Sequence, residues 1–376
     1  MDKKKICILT SGHPPFDERI FWKFGITLVE KKFDVLIVSS TENLNTEKLG
    51  ITFNCFEGKN ISSKQKIDRF YDLIGNYKPD TVVCCEPMTI IPAFRYKKYC
   101  NKHLKIILDV TEFYPHQNTL RLYSGLKRIL KHLQLSLFNI YASNLTDGIT
   151  AGERGKMKLY KLIAPRSKKS IISYFAPKRY FNFKEIQLEN EIVFCFLGEQ
   201  SEDRGFPEFL EVILLLVNSI NVSVKIIFIG SNHDNQVSSN NTPNTFAGTE
   251  KISVVRLPRI DYNELGQVLS ESHFLMDLRA KTNIFDRSLP IRIFDYLACG
   301  RPVLFSNLRA LREFDDLTPF VHLVDPSDTN QAVRIIIDYI NHPDLFEQHC
   351  KAARTAFEEK YNWEKIEPDL IEIINH

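Results

Sequence analysis

Residues 5–40 read KICILTSGHPPFDERIFWKFGITLVEKKFDVLIVSS, and their three segments decide the fold. ICILT is a continuously apolar run rich in β-branched residues, DERIFWKFGITLVEKK has helix length and an amphipathic pattern, and FDVLIVSS is a second apolar run. Strands that are apolar throughout, rather than alternating, are covered by helices on both faces, so the triplet predicts a βαβ unit of a parallel sheet. The rhythm continues through KQKIDRFYDLIGNYK, DTVVCC and KIILDV. A Rossmann-like domain is the expectation.

After SIISYF comes a polar, strand-poor stretch, APKRYFNFKEIQLENE, and then the rhythm restarts with IVFCFLG, PEFLEVILLLVNSI, VKIIFIG, ISVVRL, HFLMDL, PVLFSN and VHLVDP. The linker is expected near residues 176–190. A chain of 376 residues exceeds one ordinary core. The reading is therefore an α/β protein of two Rossmann-like, doubly wound domains facing a central cleft. The first spans 1–180, the second 190–355, and a C-terminal helix over 356–376 crosses back to the first. SNHDNQVSSNNTPNTFAGTE is expected to be a solvated loop. Ligands of such sheets bind outside the carboxyl ends of the strands, so the loops there carry the candidate chemistry.

Composition narrows the function classes. With 44% hydrophobic and 25% charged residues the chain can bury a core, which excludes a disordered protein. A net charge of +3 gives no reason to expect a nucleic-acid partner. No apolar run approaches the ~20 residues that span a bilayer, and MDKKKICILTSG passes straight from charge into a strand, so a cytoplasmic location is expected. Of eight cysteines, Cys7, Cys84, Cys85, Cys195 and Cys299 lie in apolar runs and are expected to be buried thiols; no paired Cys-x-x-Cys set suggests zinc.

Charge is unevenly spread: residues 118–170 hold eleven Lys or Arg against two acidic residues. Within them, RLYSGLKRILKHLQLSLFNIYASN sets apolar residues at helical spacing among Lys127, Arg128, Lys131 and His132. Such a helix either lies on an anionic membrane surface or packs on the core with a solvated basic face.

Four stretches can carry chemistry. The loop Thr10–Arg19 holds Gly12, where backbone can approach a ligand, and His13, Phe16, Asp17 and Arg19; it reads as acceptor or donor-sugar contacts, or as a structural turn in which Asp17 caps the helix. It is not a Gly-x-Gly-x-x-Gly fingerprint. At the end of KIILDV, Glu112, Tyr114 and His116 crowd one strand end, where Glu112 either serves a sugar hydroxyl or proton transfer or only caps a helix start. Gly198–Gly205 links a strand to a helix, with Arg204 either suited to a diphosphate or a plain surface arginine, and the acidic Glu199, Glu202 and Asp203 weigh against the phosphate. In Phe285–Val303, Arg292 and Asp295 either pair with each other or reach a phosphate and a ribose respectively.

GHPPFDERIFWK, LDVTEFYP, SLPIRIFDYLACGRPV and YNWEKI, in that order over most of the chain, resemble the family 4 retaining glycosyltransferases of the GT-B fold. The resemblance implies transfer of a sugar with retention from a nucleotide-diphosphate sugar, UDP- or GDP-linked, without a metal. In keeping with that, the sequence has no strict Asp-x-Asp pair. It implies a donor bound by Gly12, Gly198, Arg204, Ser288, Leu289, Pro290, Arg292 and Asp295. It implies an acceptor, a glycan or polyprenyl-linked sugar, held by Phe16, Asp17, Arg19, Tyr114 and His116. Glu112, His13, Arg204 and Arg292 are the expected catalytic groups.

The chain departs from the family pattern at Asp295, where a Glu is common, at Arg287 and Glu199, and at Thr111, where a histidine often stands. A place in bacterial surface-polysaccharide assembly, peripheral at the inner face of the cell membrane, follows from the resemblance together with the basic segment. A sugar-nucleotide 2-epimerase of the same fold, or a non-catalytic paralogue binding glycan or a partner, remain open alternatives.

Overall fold

The computed structural model describes residues 3–230, 246 and 249–375. Most of the Ser- and Asn-rich stretch expected as a loop lies outside the described residues. The chain divides into two compact units: Met1–Tyr174 with Ile366–His376, and Phe175–Lys365.

The first unit follows the βα rhythm: β1 (Lys5–Thr10), α1 (Ile26–Glu30), β2 (Asp34–Ser39), β3 (Leu44–Lys48), β4 (Ile51–Cys55), α2 (Ser63–Tyr77), β5 (Thr81–Cys84), α3 (Pro87–Tyr99) and β6 (Lys105–Val110). It continues with α4 (Gln117–Arg121), α5 (Gly125–Ser143), β7 (Gly148–Ala151), α6 (Arg154–Ile163) and β8 (Lys168–Ile171). The sheet order is β3-β4-β2-β1-β5-β6-β7-β8, parallel except for the β3–β4 pair. β1 thus lies between β2 and β5, and the order reverses there. Cys7, Leu9, Val38, Val82 and Leu108 fill the core under Phe70, Ile74 and Ile90 of the covering helices.

The segment expected as one helix after β1 opens differently. Asp17 caps it, accepting from the Arg19 and Ile20 amides, and Glu18–Gly25 winds as a π-helical turn in which the Trp22 amide reaches back to the Asp17 carbonyl at 3.4 Å. The β3–β4 hairpin was not expected; β3 is mostly exposed and polar, so it lacks the apolar signature of a buried strand.

In the second unit, β9 (Glu191–Leu197), α7 (Phe206–Ser219), β10 (Ser223–Ile229), β11 (Ile252–Leu257), α8 (Tyr262–Leu269), β12 (Phe274–Asp277), α9 (Arg292–Ala298), β13 (Val303–Ser306) and β14 (Val321–Val324) precede α10 (Thr329–Asn341), α11 (Pro343–Glu359) and α12 (Trp363–Asn375). Among the described residues its strands run β11-β10-β9-β12-β13-β14, and the pairs are parallel. The order reverses between β9 and β12. From Ile366 on, α12 belongs to the first unit: the Lys4 ammonium donates to the Ile374 carbonyl (2.9 Å), and Lys31 pairs with Glu367 (2.7 Å).

Of the two readings of α5, the core-packing one holds for a single face: Asn139, Ala142 and Ser143 are buried and Leu135 and Phe138 half-buried, while Leu126, Leu130, Leu133 and Leu137 face solvent. Seven cysteines are buried free thiols and Cys100 is exposed.

Candidate active site

A strand-order reversal opens a crevice beyond the strand ends, because the two neighbouring connections leave on opposite faces. Each unit has one such point, and each collects the candidate residues.

In the first unit the ends of β1 and β5 bring Thr10–His13 against Glu86. The Glu86 carboxylate accepts from the Thr10 hydroxyl (2.8 Å) and from the Ser11 (2.8 Å) and Gly12 (3.0 Å) amides. Burial raises the Glu86 pKa, against the pull of His13 and these hydrogen bonds. The Gly12 amide is therefore engaged by Glu86, and what this exposed glycine offers a ligand is close approach. His13 Nδ1 lies 3.3 Å from Asp17 Oδ2, and Nε2 lies 3.2 Å from the Thr111 hydroxyl. Burial disfavours its charged form, but the Asp17 hydrogen bond and the charges of Asp17, Glu86 and Glu112 outweigh it and lift the imidazole pKa to about 9. At neutral pH His13 is a cation and a donor, not a base. Glu112 and His116 are partly exposed and meet at 2.8 Å; Tyr114, joined by a cis bond to Pro115, is half-buried. Behind them the Lys156 ammonium (2.7 Å) and the Tyr174 hydroxyl (3.1 Å) donate to the Thr111 carbonyl.

Two acceptor expectations change. Arg19 is 2% exposed, donates through Nε and Nη2 to Asp109 (2.6 and 2.7 Å), and donates through Nη1 to the Ile172 carbonyl (2.9 Å). A guanidinium so engaged has no face left for an acceptor, and Arg19 is corrected to a structural role. Phe16 packs on Phe21 and Phe53 at 5.2 and 4.9 Å between ring centroids, which makes it the edge of the core.

In the second unit the ends of β9 and β12 bring Gly198 beside Asp277 and Arg279. Asp277 accepts from Arg279 Nε (2.7 Å) and from its Nη2, and Arg292 Nη1 approaches its Oδ2 at 3.4 Å. Burial would raise the Asp277 pKa, but the Arg279, Arg292 and Arg204 charges outweigh it and hold it low. Arg204 and Arg279 both lie over the Phe285 ring, 5.4 Å from its centroid. Burial, with repulsion from Arg292 and Arg279, lowers the Arg204 pKa, yet a guanidinium stays charged. Three cations thus gather around Asp277, with Glu199 also acting on Arg204. Next to them, the Tyr296 hydroxyl and Gln200 Nε2 are buried without a hydrogen-bond partner.

The backbone serves this cluster. Gly198 has φ +104°, and a Cβ there would stand 2.5 Å from Arg292 Nη2, so glycine is what lets the guanidinium lie over the strand end. Ser288 is half-buried, and Leu289 and Pro290 are buried just before α9. Asp295, by contrast, is 1% exposed and accepts from the Tyr262 hydroxyl at 2.6 Å.

Sequence reasoning missed Glu86, Asp277 and Arg279. The signal for the last two was an Asp-x-Arg closing the apolar run HFLMDLR, and for Glu86 an acid directly after DTVVCC.

Residues 221–371 match a family described as glycosyl transferase-like. A comparison with curated proteins finds no match. Among solved structures, sucrose-phosphate synthase from Thermosynechococcus elongatus is similar with a TM-score of 0.72 and 11% identity over 99% of this chain and 98% of that one. HepE from Anabaena, in complex with UDP-glucose, has a TM-score of 0.67 and 12% identity over 99% of both chains. An Escherichia coli structure described as trehalose-6-phosphate bound with UDP-2-fluoro glucose has a TM-score of 0.65 and 10% identity over 98% of both chains. The fold is that of the GT-B glycosyltransferases, and residues 221–371 carry the domain that the glycosyl transferase-like family describes.

Proposed function

We propose that the chain transfers a sugar from a UDP-linked donor, with retention in the manner of family 4, to a glycan or polyprenyl-linked acceptor. Its setting is bacterial surface-polysaccharide assembly at the inner face of the cell membrane. The observation that carries the reading is the concentration of positive charge at the β9–β12 reversal, where Arg279 and Arg292 contact Asp277 and Arg204 lies within its field and that of Glu199. A diphosphate supplies the missing anions, and fixed guanidiniums stabilise the charge that grows on it as the bond to the sugar breaks. They do this without a metal. The uridine preference is supported by similar structures described as complexes with UDP and UDP-glucose.

In this reading the second unit binds the donor through Gly198, Arg204, Ser288, Leu289, Pro290 and Arg292, with Arg279 added. The first unit serves the acceptor through Tyr114, His116 and Asp17. Gly12 lets the donor sugar approach, cationic His13 donates to a sugar hydroxyl, and Glu112 accepts the acceptor proton. Attack on the face the nucleotide leaves requires no covalent carboxylate.

The test is a thermal-shift series with UDP and UDP-sugars, with and without magnesium. At 100 times its dissociation constant a ligand stabilises by about 2.7 kcal/mol. A magnesium-independent rise with UDP-sugars, lost in Arg292→Ala, is expected. A protein that responds to no nucleotide would overturn the reading.

A further inference from the structure

α5 carries an apolar stripe that covers nothing. Leu126, Ile129, Leu130, Leu133 and Leu137 are between 54% and 71% exposed. At 100° per residue their spacing of three and four, continued by Ile140 and Tyr141, confines them to a band about 120° wide. The buried residues of the helix, Asn139, Ala142 and Ser143, lie on the opposite side. An isolated exposed leucine needs no explanation, but a continuous stripe of them does.

The charge around the stripe selects the occupant. Lys127 and Lys131 stand one turn apart beyond one edge of the stripe, Arg128 and His132 lie on the polar face away from it, and residues 117–146 contain no acidic side chain. The neighbouring α6 extends the pattern: Arg154, Lys158 and Lys161 are exposed, Leu162 is 79% exposed, and the Asn144 side chain ties the two helix ends together by donating to the Ile163 carbonyl at 2.7 Å. A second copy of the chain fits poorly, because a two-fold contact through this stripe would bring two helices together that carry Lys127, Arg128 and Lys131 and no carboxylate to pair with them. A surface with an apolar interior and anionic head groups matches both features.

We propose that α5, with the adjoining end of α6, is a membrane-docking surface that inserts its leucine stripe at the head-group boundary of an anionic lipid bilayer. It deepens the proposed function by naming the surface that brings the enzyme to a lipid-linked acceptor, and it rests on that reading only for the acceptor. Lipid binding itself does not depend on the nucleotide site.

The experiment is co-flotation of the full chain with phosphatidylcholine vesicles, with and without 30 mol% phosphatidylglycerol (about a third, enough to mimic an anionic leaflet). It is run beside size-exclusion chromatography and UDP thermal shifts on the same preparations. Binding to the anionic vesicles alone or strongly preferentially is expected. The Lys127→Ala, Arg128→Ala, Lys131→Ala triple variant should weaken it on the order of a hundredfold. Leu126→Glu with Leu133→Glu should abolish it while leaving the melting temperature and the UDP shift as they were. No flotation by the parent protein would overturn the proposal, as would flotation untouched by the leucine variants. So would a dimer in lipid-free buffer that those variants dissociate. Loss of the UDP response with flotation intact would instead count against the transferase reading alone.

Discussion

Arg204, Arg279 and Arg292 carry positive charge that Asp277 neutralises only in part, so removing that carboxylate leaves buried like charges facing each other. Asp277→Asn is expected to destabilise the protein by about 3–5 kcal/mol, read from urea unfolding, as for other buried pairs that lose one partner. An unchanged midpoint would mean that the cluster is more solvated than its burial indicates.

His13 gives a pH signature of opposite origin. Its pKa rises from the usual 6.5 to about 9, so the stabilisation from its charged contact with Asp17 is whole below about pH 6.5 and is lost as the pH climbs through 9. Asp17, whose pKa is lowered, reports the same contact from the acid side, and the energy is counted once. His13→Gln is expected to remove on the order of 2 kcal/mol of pH-dependent stability across that window. The His13 imidazole resonances, identified by their loss in His13→Gln, should titrate near 9; a midpoint at 6.5 would refute the assignment.

At the level of elements, α7 begins where Gly205, at φ +73°, lets the chain pass the end of β12: a Cβ there would come within 2.1 Å of the Leu278 carbonyl oxygen. Gly205→Ala should cost about 2 kcal/mol or more, combining left-handed strain with displaced backbone, and should weaken nucleotide binding by shifting Arg204 and Arg279. Gly155, within α6, is the control, since nothing lies within 4 Å of its missing Cβ; Gly155→Ala should stabilise by about 0.5–1 kcal/mol. Thermal melts of the two variants in opposite directions are the expected result.

The elements also show what local sequence can carry. β1, β2, β5, β6, β12 and β13 are legible because burial on both faces makes each a continuous apolar run. β3 is not, because an exposed edge strand such as LNTEK looks like a loop. The pairing of Arg292 with Asp295 was a fair local expectation at a spacing of three, but Asp277, fifteen residues upstream, comes within reach of Arg292, and Tyr262 binds Asp295.

Across the whole molecule, the sites lie where strand order reverses, and strand order is a long-range property. That β1 neighbours β5 places Glu86 under Gly12, and that β9 neighbours β12 places Arg279 and Asp277 beside Gly198. No window of sequence contains either adjacency, so the loops could be nominated from the chain while their partners could not. The same limit applies to Arg19 and Asp109, ninety residues apart, whose burial together only the folded sheet determines.

The central claim is that the second unit's arginine cluster holds the diphosphate of the donor. Isothermal titration of the full chain with UDP and with uridine tests it most directly. The account predicts that UDP binds at least about a hundredfold more tightly than uridine, the effect of roughly 2.7 kcal/mol from charge-assisted contacts, and that Arg279→Ala with Arg292→Ala erases the difference. Equal affinities for the two ligands in the parent protein would contradict it.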